Sequence, residues 1–120
     1  MRPPAKADYN SYPPTSGPHY DGLASWGIHK SPIPNELQVH NLEDGGVVVQ
    51  YNCPDGCTDL VSQLTKVVES FDHDVILAPY PDMEFRIALT AWNRLETLDE
   101  FDEARIMKFI REFKSQDHHQ

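Results

Sequence analysis

Val47-Val48-Val49-Gln50-Tyr51-Asn52 is the most strongly β-forming run in the chain, and the two segments that follow it decide the fold. Its apolar residues are nearly continuous rather than alternating, which is the pattern of a strand covered on both faces. After Cys53-Pro54-Asp55-Gly56-Cys57 comes a stretch in which Leu60, Val61, Leu64, Val67, Val68 and Phe71 recur at helical spacing, with Thr58 or Asp59 placed to cap the start. Asp74-Val75-Ile76-Leu77-Ala78-Pro79 is then a second strand. A right-handed crossover through the helix makes it parallel to the first.

C-terminal to this unit, Tyr80-Pro81-Asp82-Met83 reads as a turn. Phe85 to Trp92 reads as a third strand, antiparallel to the second because so short a loop rules out a crossover helix. Thr97-Leu98-Asp99-Glu100 has the form of a capping box, and the helix after it places Ile106, Phe109, Ile110 and Phe113 on one stripe with Met107 at its edge. The expected class is α+β: a small two-layer sandwich, β-α-β-β-α, with a mixed sheet and two helices on one face. Residues 39–113 form the α/β core, and residues 114–120 are expected to fray.

N-terminal to the first strand, residues 1–38 carry most of the prolines and show no sustained period of 2 or 3.6, so they read as irregular. Tyr9, Tyr12, Tyr20 and Trp26 give this stretch the means to lie against a folded body. It is therefore expected to be a Pro-rich coat over the open sheet face.

At 120 residues the chain has room for one domain and one modest core. Ten Lys and Arg against nineteen Asp and Glu give a formal charge of −9, with no basic stripe, which argues against nucleic acid and anionic membrane as partners. No apolar run approaches bilayer-spanning length, and Met1-Arg2-Pro3-Pro4 lacks the hydrophobic centre of a signal peptide. The expectation is a soluble chain, and a Pro-rich opening after Met1 is what remains when an export signal or membrane anchor is removed.

Two stretches carry candidate chemistry. In Val39-His40-Asn41-Leu42-Glu43-Asp44-Gly45-Gly46, a helical turn over 40–44 would put His40 and Asp44 on one face, and Gly45 and Gly46 would end it. Read functionally, His40 with Asp44 or Glu43 is half a metal site; read structurally, the stretch is a buried turn. His19, fixed between Pro18 and Tyr20, would complete two histidines and a carboxylate, a set that suits iron, zinc or copper. Cys53 and Cys57 flank a helix N-terminus, which favours a thiolate and allows redox or soft-metal chemistry, with Met83 as an additional soft ligand. A static local disulfide is the plainer reading of the same pair. Cys-Pro-x-x-Cys in this setting is similar to the motif of Sco-type copper chaperones, although too few elements follow it for a full thioredoxin pattern.

Hydrolase arrangements find no support, since Ser16 lies in no strand-to-helix elbow and no Gly-rich phosphate loop is present. The chain reads as a metal-binding protein rather than an enzyme, with thiol-disulfide exchange or copper delivery as the alternative. A structural or partner-binding domain with an unknown protein partner is the baseline.

Pro13-Pro14-Thr15-Ser16-Gly17-Pro18-His19, then Val39-His40-Asn41-Leu42-Glu43 with Gly45-Gly46, then Thr90-Ala91-Trp92 and the helix from Phe101-Asp102 to Phe109-Ile110 resemble a mostly bacterial family, domain of unknown function number 3105. The resemblance spans about Tyr12 to Phe113. It implies export or anchoring outside the cytoplasmic membrane and carries no activity. Where the family usually has His-Asn-Leu-Glu-His-Gly, this chain has Asp44 in place of the second histidine, a hard oxygen donor for a borderline nitrogen. Many relatives lack the cysteine pair, which would make it an accessory of this branch.

Overall fold

Right-handed crossovers that run in opposite directions along a sheet lie on opposite faces, and this rule organises the molecule. A computed structural model describes residue 13 and residues 24–53, 57–71 and 73–114. Among them the order is β1 (Gly27–Ile28), α1 (Asn35–Glu43), β2 (Val47–Tyr51), α2 (Thr58–Glu69), β3 (Val75–Pro79), β4 (Ile87–Ala91), β5 (Arg94–Leu98) and α3 (Glu103–Phe113). The sheet runs β1-β3-β2-β4-β5. The connection from β1 to β2 passes over β3 and carries α1, whereas the connection from β2 to β3 returns and carries α2, so the two helices flank the sheet.

β2 and β3 are parallel, with Val47 opposite Val75 and Tyr51 opposite Pro79. One set of their alternate side chains (Val47, Val49, Val75, Leu77) joins Ile87 and Leu89 of β4 beneath Leu60, Leu64, Val67 and Val68 of α2 and Ile106, Phe109 and Ile110 of α3. The other set (Val48, Ile76, Ala78) packs with Ala24, Trp26, Ile33, Leu37, Leu42 and Trp92. β2 is thus covered on both faces, as its unbroken apolar run implies. The class is α+β with a mixed five-stranded sheet.

Several details depart from the sequence reading. α1 begins inside the stretch expected to be irregular, and it covers the second face together with Ala24, Trp26 and Ile33. It escapes the periodicity test because Gln38 and Asn41, both fully buried, sit on its inner side and interrupt the apolar stripe. The amides of Gln38 and Gln50 pair reciprocally across the helix-sheet boundary at 2.8 and 3.0 Å, which satisfies two polar side chains that burial would otherwise penalise.

β4 is shorter than expected and its neighbour is different. It pairs antiparallel with β2, Val48 opposite Thr90, rather than with β3. The far edge of β3 is already taken by β1, with Gly27 opposite Ile76. The 80–86 connection therefore crosses the end of β2 to reach that strand's open edge.

Thr97 and Leu98 belong to β5, where they face Ala88 and Ile87, so the first half of the expected capping box is strand and no helix starts there. A two-residue loop joins β4 to β5, with Asn93 at φ 59°, a conformation Asn tolerates better than most residues. α3 is capped instead by Asp102, whose Oδ1 accepts from the Arg105 N–H at 3.2 Å.

Candidate functional site

The two candidate stretches lie at opposite ends of β2. At its N-terminal end, α1 closes with Asp44 as C-cap and Gly45 at φ 92°. The Gly45 N–H donates to the Leu42 carbonyl at 3.0 Å and the Gly46 N–H to the Asn41 carbonyl at 2.8 Å. This is the paired bonding of a Schellman turn, and only glycine enters its left-handed position without cost. Gly46 is required for a second reason. A Cβ there would stand 2.6 Å from the Trp26 ring and 2.7 Å from the Asn41 carbonyl oxygen.

Asn41 faces inward and joins two distant segments. Its Oδ1 accepts from the Ala24 N–H at 2.8 Å and its Nδ2 donates to the Ala24 carbonyl at 2.9 Å. Val39 and Leu42 are fully buried beside it. Most of the motif is therefore explained by the seam between α1, residues 24–26 and the sheet.

His40, Glu43 and Asp44 are the motif residues left partly open to solvent. The His40 Nε2 is 3.9 Å from Asp44 Oδ2, with side chains 17% and 27% exposed, so the expected shared face exists. His19 lies outside the described residues. Among the described residues no group of three or more His, Cys, Asp or Glu side chains is gathered closely enough to hold a metal ion.

At the C-terminal end of β2, Cys53 and Cys57 form a disulfide with Cα atoms 5.9 Å apart. It joins the strand end to the start of α2, whose N-cap is Cys57 itself rather than Thr58 or Asp59. Both cysteines are half-buried. Arg86, 29 residues further on, donates from Nη2 to Cys57 Sγ at 3.3 Å.

The segment bearing Arg86 is fixed by β2's last residues. The Tyr80 N–H donates to the Tyr51 carbonyl at 2.9 Å and the Asn52 N–H to the Arg86 carbonyl at 2.9 Å, while Asn52 Nδ2 donates to the Met83 carbonyl at 2.7 Å. Met83 is thereby placed at the cysteine end, where it is buried. Tyr51, packed against the core beneath, has its hydroxyl pKa raised by burial.

Sequence reasoning found the cysteines and missed Arg86, which read only as one polar position in a strand. A charged residue immediately before a run as apolar as Ile87 to Leu89 was the available signal. It also missed Asn41 as a structural residue.

A family model described as a protein of unknown function, DUF3105, matches residues 2–120. The chain belongs to that family. No curated protein and no solved structure matches it. Membership of DUF3105 brings no activity with it, so the chemistry has to be argued from the two ends of β2.

Proposed function

We propose that this chain is a thiol-disulfide exchange domain working outside the cytoplasm, with the Cys53–Cys57 pair as its reactive group. The observation that carries the reading is position. The disulfide is half-exposed where a central parallel strand gives way to a helix N-terminus, the end of an open α/β sheet at which ligands generally bind. As a staple it would contribute little, since closing a loop of about five residues stabilises by only roughly 2 kcal/mol in the chain-entropy picture. A disulfide in so small a domain also fits an oxidising compartment. Reduced, the same pair offers two soft donors to copper, which is the copper-delivery form of the same proposal.

Titration of the native protein in glutathione redox buffers, with free thiols counted by alkylation and mass spectrometry, tests this. The expected result is reversible conversion between the disulfide and two thiols without unfolding. A pair that stays oxidised until the chain is denatured overturns the reading and leaves a structural bridge.

The His40–Asp44 face supports a second reading, a transition-metal site of iron, zinc or copper that draws its further ligand from His19, since Glu43 does not join the pair. Metal analysis of untagged protein lacking His118 and His119 is the test. Stoichiometric metal lost on His40→Ala is the expected result, and metal content unchanged by that substitution removes the reading.

A further inference from the structure

We infer that exchange at this disulfide is directional: the incoming thiolate bonds to Cys53, and Cys57 is the sulfur that departs, its negative charge received by Arg86. The inference rests on the exchange reading above and adds to it the site of attack and the residue that sets it.

A thiolate leaves faster the better its charge is stabilised, so the two sulfurs of a disulfide are distinguished by their surroundings. At Cys57 two features favour the anion. Arg86 Nη2 is already in contact with Cys57 Sγ at 3.3 Å, and a guanidinium cannot lose its proton in this chemistry. Cys57 is also the N-cap of a twelve-residue helix, and among the described residues its side chain makes no cap bond. Its own carbonyl already accepts the first helical bond, from the Val61 N–H at 2.9 Å. The N–H groups ahead of Val61 point toward the cap position, where a thiolate is a far better acceptor than a disulfide sulfur.

Asp59, in the same turn, opposes this by adding negative charge at the helix start, which makes Arg86 the decisive group. The Arg86 backbone is held by Asn52, the residue beside Cys53, through its N–H to the Arg86 carbonyl and its side chain to the Met83 carbonyl. The strand end that delivers Cys53 thus also positions the cation on Cys57.

The steps balance as follows. An external thiolate RS⁻ attacks Cys53 Sγ, forming an R–S–Sγ bond as the Cys53–Cys57 bond breaks and its electron pair leaves on Cys57 Sγ. A second RS⁻ attacks the sulfur of the bound R group, releasing RSSR and Cys53 as thiolate, which takes a proton from solvent. Two thiols are oxidised and the protein disulfide is reduced. The partner class is a small thiol or an exposed cysteine of another protein.

The test uses the full chain in single-cysteine forms. In Cys53→Ser, alkylation of Cys57 by iodoacetamide is expected to reach half its maximal rate below the ordinary thiol value of about pH 8.5, and Arg86→Gln is expected to move that midpoint up by about one unit, with Arg86→Lys recovering part of the shift. In Cys57→Ser, the Cys53 profile is expected to ignore Arg86→Gln. On the unsubstituted protein, peptide mapping after brief exposure to reduced glutathione should place the mixed disulfide on Cys53. A Cys57 midpoint unmoved by Arg86→Gln, or glutathione found on Cys57, overturns the assignment. If glutathione fails to open the pair at all, the exchange reading falls, and the two alkylation profiles still decide whether Arg86 sets the charge at Cys57.

Discussion

At the N-terminal end of β2 the polar side chain that reaches the interior, Asn41, is bonded on both sides, and the glycines are held by the shape of the turn. At the C-terminal end, a few residues along the same strand, the sulfurs are half-exposed and touched by a cation from a distant segment. Both ends looked equally rich in ligand-type residues. They differ in whether those residues are already occupied by the fold. A motif whose inward polar side chain, Asn41, is matched to backbone defines a seam, whereas a half-exposed disulfide beside a charge is open to the exchange proposed for it.

The largest expected effect tests the seam. Asn41→Ala removes two buried hydrogen bonds and leaves the Ala24 N–H and carbonyl without their partner, a loss of about 3 kcal/mol by the usual magnitudes. Urea unfolding monitored by Trp fluorescence measures it. A loss under about 1 kcal/mol would mean that water replaces the asparagine and that this end is less closed than its geometry implies. Gly46→Ala follows at about 2 kcal/mol, because the new methyl group meets the Trp26 ring and a carbonyl oxygen that cannot easily withdraw. Thermal melting of this variant beside Gly46→Ala with Trp26→Leu separates the two contacts: substantial recovery in the double variant points to the ring, and none points to the backbone.

What could be read from the sequence followed from how one-sided each element is. α2 and α3 bury apolar stripes and β2 and β3 are apolar nearly throughout, so their patterns survive without knowledge of the partners. α1 buries amides, and its helical period cannot be recognised until Gln50 and Ala24 are known to face it. β1 is a two-residue edge beginning with Gly27 at φ 105°, which has no strand signature, yet by occupying the rim of β3 it sends β4 to β2. β5 shows its outer residues, Arg94 and Leu95, to solvent and therefore lacks the burial pattern of a strand. The cysteine pair was visible as a local motif. Its cation was not, because the contact depends on a chain crossing over the end of β2.

Cys53→Ser comes next and probes the other side of the comparison. Removing the bridge is expected to lower stability by about 2 kcal/mol, the chain-entropy value for so short a loop. Hydrogen exchange should place the loss in the first turn of α2 and in the 80–86 segment, with the Schellman amides of Gly45 and Gly46 protected as before. Loss of protection at those glycines would show that the two ends are coupled through β2 and act as one unit.

The smallest effect concerns alkaline pH. Burial at the cysteine end raises the Tyr51 pKa above the ordinary tyrosine value of about 10, because the phenolate is less well solvated there than the phenol. In the unfolded chain Tyr51 ionises at its ordinary value. Between that pH and the higher folded value, the unfolded state therefore binds fewer protons than the folded state, and stability falls as pH rises. The contribution is constant at neutral pH and begins to be lost near pH 10. Urea midpoints measured on the oxidised protein from pH 8 to 11 should show a decline that is shallower in Tyr51→Phe than in the unsubstituted chain. Identical slopes would mean that the hydroxyl is solvated in the folded state, and would make the cysteine end of β2 more open than its packing against the core implies.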